Sequence, residues 1–245
     1  MLQIKNLSKS FGGVKAVNNC SFVVKKNTIT ALIGPNGSGK STLFNLISGV
    51  MKVDSGKIIF DGRDITNKSP EDISNLGISR LFQQPRLFKN LTVKENLLLA
   101  FDNEDTKFWK NLVGLNKITK EKEEKIKEML KLVEMERFEN RIARELSFGQ
   151  KRLVELARVI LNPHKLLMLD EPVAGVNPKL RKLIAKLLLK LKKEGKTILL
   201  IEHDMTFALP IADEVIVLDE GRVIATGKPK EIKNNPKVLE AYLGE

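Results

Sequence analysis

Gly34-Pro35-Asn36-Gly37-Ser38-Gly39-Lys40-Ser41 fits the pattern Gly-x-x-x-x-Gly-Lys-Ser/Thr, in which backbone can grip phosphate. Its glycines let the chain curl so that several N–H groups point inward, and a helix starting there adds its positive end. Lys40 is placed to reach the β- and γ-phosphates of a nucleotide, and the Ser41 hydroxyl to ligate Mg²⁺. The nucleotide-binding stretch continues to Thr42. A second chemical feature is Leu169-Asp170-Glu171-Pro172, where an apolar run ends in adjacent carboxylates. Opposite the phosphate loop, Asp170 would hold hydrated Mg²⁺ and Glu171 would polarise the water attacking the γ-phosphate. A third is Leu146-Ser147-Phe148-Gly149-Gln150. There a serine hydroxyl and N–H groups at a helix start could form another anion site, or Ser147 could serve only as the helix cap.

These residues need a scaffold of strands and helices. Ile29-Thr30-Ala31-Leu32-Ile33 reads as the strand entering the loop, and Thr42-Leu43-Phe44-Asn45-Leu46-Ile47 continues beyond it with helical spacing. That context separates a phosphate loop from an ordinary Gly-rich turn. Before it, strands are expected over 2–8 and 16–24, with a turn at Phe11-Gly12-Gly13. After it come a short strand closed by Asp61-Gly62, a helix capped by Ser69 with Pro70 at its first position, and a strand over 78–82. From 84 to 161 the pattern turns helical, with Thr92-Val93-Lys94-Glu95 as a capping box and a long charged helix over 118–133. The α/β pattern resumes at Leu166-Leu167-Met168-Leu169, unbroken and apolar as in a buried parallel strand. Asn177 and Pro178 open the next helix, Asp204 caps another, and two strands pair across Glu220-Gly221.

At 245 residues the chain holds one large domain or one with an inserted subdomain. No apolar stretch is long enough to span a bilayer, and the first residues alternate like a strand, without a signal-peptide build. The single cysteine, Cys20, sits in an apolar run and is expected in the core of a protein kept in the cytosol. The net charge of +12 concentrates near 117–131 and 179–196. Glutamates alternate with the lysines of the first stretch, and Lys182, Lys186, Lys190 and Lys193 fall on the polar side of an amphipathic helix. Without interleaved aromatics these read as solvated faces, and no nucleic-acid partner is expected.

Leu146-Ser147-Phe148-Gly149-Gln150 resembles the signature of ATP-binding cassette (ABC) ATPases, usually Leu-Ser-Gly-Gly-Gln, and it precedes the acidic pair in the same order. The resemblance spans essentially the whole chain. It implies an α/β P-loop NTPase fold with an antiparallel β subdomain, core segments 1–83 and 162–245, and an inserted helical subdomain over 84–161. It implies that Phe11 stacks on adenine with Val17 padding the base. Gln83 would touch Mg²⁺, beside Ser41 and Asp170, and report to a transmembrane partner. His203 would contact the γ-phosphate and hold the attack geometry, completing a catalytic set of Glu171, His203 and Gln83. Ser147, Phe148, Gly149 and Gln150 would face ATP held by a second ATPase subunit, and the Ala174–Asn177 loop would cross to it. Phe148 replaces the first signature glycine, and Asn177 stands where many relatives carry aspartate.

Both departures are similar to importers for branched-chain amino acids. So are the Glu-Pro-x-Ala-Gly-x-Asn-Pro pattern, the insert Phe101–Lys117 and the ending Ala241-Tyr242-Leu243-Gly244-Glu245. Phe108-Trp109 would either line the groove for a membrane-subunit helix or pack its own subdomain. The implied protein is an importer's Mg²⁺-ATP-hydrolysing subunit. It would sit peripherally on the cytoplasmic face of the membrane, with permease partners, a like or unlike second ATPase, and an extracytoplasmic solute-binding protein acting indirectly. The alternatives are an ATPase of an exporter or lipid-extraction complex, and a soluble ABC protein acting on nucleic acid or ribosomes. A P-loop kinase or GTPase would lack the signature, and no guanine-reading Asn-Lys-x-Asp occurs.

Overall fold

The computed structural model describes residues 1–82, 86–104 and 120–243. In chain order the elements begin with β1 (Leu2–Phe11), β2 (Val14–Val24), β3 (Ile29–Ile33), α1 (Lys40–Ile47), β4 (Ser55–Phe60), β5 (Arg63–Asp64), α2 (Pro70–Asn75) and β6 (Ile78–Leu81). Next come α3 (Val93–Leu98), α4 (Lys120–Leu132) and α5 (Phe148–Leu161). The chain continues with β7 (Leu166–Asp170), α6 (Pro178–Lys193), β8 (Thr197–Ile201) and α7 (Met205–Ile211). It closes with β9 (Glu214–Asp219), β10 (Arg222–Gly227), α8 (Pro229–Lys233) and α9 (Pro236–Leu243). Contacts divide it into one unit of Met1–Arg80, Lys165–Glu171 and Leu188–Glu245, and another of Leu81–His164 and Pro172–Leu187.

The first unit holds two sheets. One has the order β2-β1-β4-β5 and is antiparallel throughout; the other runs β10-β9-β3-β8-β7-β6. In the second sheet β3 pairs in parallel with β8 and β9, β7 pairs in parallel with β8, and β10 is antiparallel at the edge. Every residue of β3, β7 and β8 is buried, which is why these strands are apolar without alternation. Alternate side chains of this sheet feed two cores. Leu32, Met168, Leu199 and Ile216 join Leu2, Phe22 and Phe60 of the antiparallel sheet and Leu43 and Phe44 of α1. From the other face, Ala31, Ile33, Val215 and Val217 meet Ala208, Ile232 and Val238.

Local signals account for the element ends. Ser69 Oγ accepts the Asp72 N–H at 3.1 Å with Pro70 at the start of α2, and Asp204 Oδ1 accepts the Thr206 N–H at 2.8 Å. Phe11, expected in the turn, belongs to β1 and pairs with Val14, so that Gly12-Gly13 alone makes the reversal. Register shifts along β1 and β2 hide this pairing from simple alternation. Cys20 is fully buried, and burial pushes its thiol pKa up, so it behaves as a small core residue.

In the second unit Thr92 and Glu95 complete their capping box: the Thr92 N–H donates to Glu95 Oε2 at 2.7 Å and the Glu95 N–H to Thr92 Oγ1 at 3.2 Å. Helix α4 buries Ile126, Met129 and Leu130, while its Lys125–Glu121 pair, at 2.6 Å, lies on the outer face. By its contacts Pro172–Leu187 groups with this unit, with Lys179 at 3.4 Å from Glu134. Along α6 as a whole, Lys182, Lys186, Lys190 and Lys193 are exposed, as a solvated face requires.

A charge network lies inside this unit. Arg152 is 1% exposed and donates to the carbonyls of Phe82 at 2.5 Å and Pro172 at 3.4 Å, and to Glu155 Oε2 at 3.2 Å. Glu155 Oε1 accepts the Arg86 N–H at 2.6 Å. Burial pushes the Glu155 carboxyl up, against the pull of that N–H and of Arg152 and Arg158. Arg152→Ala takes the donor from two carbonyls and one of two guanidinium charges from the buried Glu155 carboxylate, which keeps the Arg86 N–H, so a loss of about 2–4 kcal/mol is expected. Urea denaturation of the whole chain checks this, and a loss below about 1 kcal/mol would make the network energetically idle.

Candidate nucleotide-binding site

The phosphate loop is shaped by what its backbone must avoid. A Cβ on Gly34 would stand 1.9 Å from the Leu218 carbonyl oxygen, and one on Gly39 2.1 Å from that of Ala16. Both glycines have positive φ, at 152° and 99°, so a side chain there would meet backbone and strain alike. Gly39 precedes α1 without a side-chain cap, leaving first-turn N–H groups for an anion. The Lys40 ammonium is buried and donates to the Gly34 and Pro35 carbonyls at 2.8 and 2.7 Å and to Ser38 Oγ at 3.3 Å. Pro35 and Ser38 are buried, Asn36, Gly37 and Ser41 exposed, and Thr42 half-buried. The β9–β10 turn braces this loop: the Gly221 N–H donates to Ser38 O at 3.0 Å, and Gly221 O accepts the Asn18 N–H at 2.7 Å.

Parallel register sets the acidic pair beside the loop. Ile201 pairs with both Leu32 and Asp170, so the ends of β3, β8 and β7 form one row, with β3 and β7 about 10 Å apart across two strand spacings. Ligands of open α/β sheets collect at such carboxyl ends. The Asp170 carboxylate lies 3.1 Å from an Arg80 amino group. Glu171 leaves the strand with φ 47°, a left-handed conformation rare for a non-glycine residue, and its N–H donates to Ile201 O at 3.1 Å. Glu171 Oε1 stands 3.6 Å from His203 Nδ1, too long for a hydrogen bond but adjacent. The His203 side chain is half-exposed and that of Glu171 mostly covered.

The structure thus brings Gly34–Thr42, Asp170, Glu171 and His203 to one edge of one sheet. A buried ammonium and uncapped N–H groups suit a polyphosphate. The Ser41 hydroxyl and Asp170 carboxylate are hard oxygen donors of the kind Mg²⁺ takes. Phe11 ends β1 with its ring 46% exposed and the Lys9 ammonium 5.5 Å from the ring centre. On the inward side of β2 Val17 lies wholly in the core, with no exposed side-chain surface. Gln83, Phe108-Trp109, residues 105–117 of the insert and Gly244-Glu245 lie outside the described residues.

In the second unit Ser147 caps α5. Its Oγ accepts the Gln150 N–H at 3.3 Å, and Gln150 Oε1 accepts the Ser147 N–H at 2.8 Å. The capping role is therefore met within the chain, while the hydroxyl proton can still be donated outward. Phe148 starts the helix half-exposed, its ring edge 3.0 Å from where a Gly175 Cβ would stand. Gly149 faces Leu180, which a Cβ would meet at 2.8 Å, so the retained signature glycine is the one in tight contact. Sequence reasoning missed Arg80, Arg152 and Glu155. The available signal was charge out of place: Arg80 inside Ile78-Ser79-Arg80-Leu81-Phe82, and an i,i+3 pair on the apolar side of α5.

A largely parallel sheet carrying a phosphate loop and an acidic pair at its carboxyl edge defines a P-loop nucleoside triphosphatase. Comparison with known proteins narrows the class. The family model described as ABC transporter matches residues 17–174, and one described as branched-chain amino acid ATP-binding cassette transporter matches residues 222–245. A probable branched-chain amino acid transport ATP-binding protein, LivG of Archaeoglobus fulgidus, is 44% identical over 247 residues, covering 100% of this chain and 95% of its own length. A crystal structure of the ADP conformation of an ATP-binding cassette of an ABC transporter is 40% identical, with TM-score 0.85 and coverage of 100% and 99%. A dimeric cassette in a post-hydrolysis state, bound to ADP and Pi, is 29% identical, with TM-score 0.80 and coverage of 94% and 99%. This chain belongs to the ABC transporter family and is an ATPase with the ABC fold. Among the described residues no helix is long and apolar enough to cross a membrane.

Proposed function

We propose that this chain is the nucleotide-binding subunit of an importer for branched-chain, hydrophobic amino acids. The observation that carries the reading is the full-length likeness to a protein named for that transport, joined by the match over 222–245. The solute itself never touches this subunit. A binding protein outside the membrane and permease subunits within it would select and pass the amino acid, with this chain held peripherally on their cytoplasmic side.

In this reading ATP binds with its base on Phe11 and its phosphates on the loop N–H groups and Lys40. Ser41 and Asp170, with Gln83, would hold Mg²⁺, which when bound offsets the charge of the transferring phosphoryl group. Glu171 takes the proton of the attacking water, and His203, 3.6 Å away, keeps that water and the γ-phosphate in line. Ser147, Phe148, Gly149 and Gln150 of one chain would close over ATP on a second, like or unlike, ATPase subunit. Exposure of Ser147 and Phe148 supports this, as does the existence of a dimeric relative. Segments 1–83 and 162–245 would act as the ATPase core and 84–161 as the subdomain passing its state to the permeases.

The test is ATP turnover by the complex in proteoliposomes, with the solute-binding protein supplied loaded or empty. Leucine-, isoleucine- or valine-loaded binding protein is expected to raise turnover several-fold. Stimulation by another solute alone would keep the transporter ATPase and remove this substrate. Turnover driven by lipid without any binding protein would favour an exporter or lipid-extraction complex.

A further inference from the structure

Arg80 is a buried charge that the proposed mechanism does not use. It sits on β6, with a side chain 7% exposed against 5% for Asp170, and it contacts more than one element. One amino group donates to Asp170 Oδ2 at 3.1 Å; the other donates to Asn45 Oδ1 at 2.7 Å and Ser48 Oγ at 2.8 Å. Its guanidinium also lies 5.6 Å from the centre of the Phe44 ring. Asn45 and Phe44 belong to α1 and Ser48 ends it, and α1 is the helix that starts with Lys40 and Ser41. The planar fork is thus fixed by α1 on one side and offers a single direction to the carboxylate on the other.

We propose that Arg80 is a positioning residue for the metal site: it serves as the counter-ion of Asp170 until a divalent cation arrives with nucleotide phosphates, and so discourages uptake of the bare cation. The inference rests on the reading of Asp170 as the Mg²⁺ residue. A carboxylate this buried needs a positive partner, and the guanidinium supplies one in the nucleotide-free chain. Among the described residues no group of three or more His, Cys, Asp or Glu side chains could cage a metal. A bare cation at Asp170 would meet a carboxylate already paired with a fixed positive charge at 3.1 Å. Phosphate oxygens change that balance by bringing negative charge with the ion. Asn45 and Ser48 keep Arg80 in place when its partner is shared, so the same carboxylate orientation serves both states.

The probe is Mn²⁺ without nucleotide, titrated by electron paramagnetic resonance against the whole chain. Arg80→Met, which keeps an apolar stem and removes the charge, is expected to bind it about tenfold tighter or more than the parent. Arg80→Lys keeps the charge and is expected to stay within about threefold of the parent, although loss of the fork lowers its melting temperature. Unchanged Mn²⁺ affinity in a folded Arg80→Met chain would overturn the proposal. Should that variant fail to melt cooperatively, the parent itself decides. Its Arg80 Nε resonance, assigned from Arg80→Lys, should shift on adding Mg²⁺-ADP but not ADP in EDTA; no shift with Mg²⁺-ADP overturns the idea. Asp170→Asn separates the two readings. If it leaves the Mg²⁺ dependence of ADP binding intact, Asp170 is not the metal residue; if it abolishes that dependence while Arg80→Met behaves like the parent, only the role of Arg80 falls.

Discussion

Glu171→Gln is expected to lower ATP turnover by about 100- to 10,000-fold while changing ATP affinity by no more than about threefold. Glutamine keeps the size and hydrogen-bonding reach of the side chain but cannot take a proton from water. The backbone should tolerate the change, because the left-handed turn at φ 47° is held by the Glu171 N–H on Ile201 O, which the substitution leaves in place. The side chain is mostly covered and has His203 at 3.6 Å, so the variant alters the proton acceptor without opening a cavity. With hydrolysis stopped, the ATP-bound dimer should persist and elute earlier in gel filtration with Mg²⁺-ATP than without. Single-turnover hydrolysis and equilibrium ATP binding measured side by side check the split. Near-normal turnover would remove Glu171 as the base, and a parallel loss of binding would make it a structural residue.

What could be read from sequence was mostly local. Ser69-Pro70, Thr92 to Glu95, Asp204 and Glu220-Gly221 are short-range signals whose hydrogen bonds close within a few residues, and each falls where the residues place it. The loop Gly34–Ser41 was legible for the same reason, since its strand, turn and helix are contiguous. Sheet order was not. β3 lies between β8 and β9, partners separated from it by well over a hundred residues, and no periodicity in the apolar run Ile29–Ile33 names its neighbours. Buried charge was equally hidden, because Arg80 and Arg152 become intelligible only once Asp170, Asn45, Glu155 and two backbone carbonyls converge on them. The burial of Val17 was also not legible. The register shift between Leu7 and Lys9 on β1 sits opposite the Val17–Cys20 stretch, and the resulting strand turns that side chain into the core.

Lys40→Met is expected to weaken ATP binding by about 10- to 100-fold and to destabilise the nucleotide-free chain as well. The two effects have different origins. Without nucleotide, the ammonium already donates to the Gly34 and Pro35 carbonyls at 2.8 and 2.7 Å. Binding ATP exchanges those neutral acceptors for anionic phosphate oxygens, and the gain is the difference between an ammonium-to-carbonyl and an ammonium-to-phosphate hydrogen bond. Summed over one or two bonds that difference is about 1.4–2.8 kcal/mol, which corresponds to the stated range. Gly34 and Pro35 are both buried, so removing the donor strands carbonyls that water reaches poorly, at about 1–3 kcal/mol. Methionine preserves most of the stem volume, so little of the loss comes from packing. Isothermal titration with ATP and urea denaturation without it measure the two quantities on the same preparation. If stability falls and ATP affinity holds, Lys40 is a brace for its own loop. If affinity falls and stability holds, the carbonyl contacts are incidental and phosphate binding alone accounts for its place.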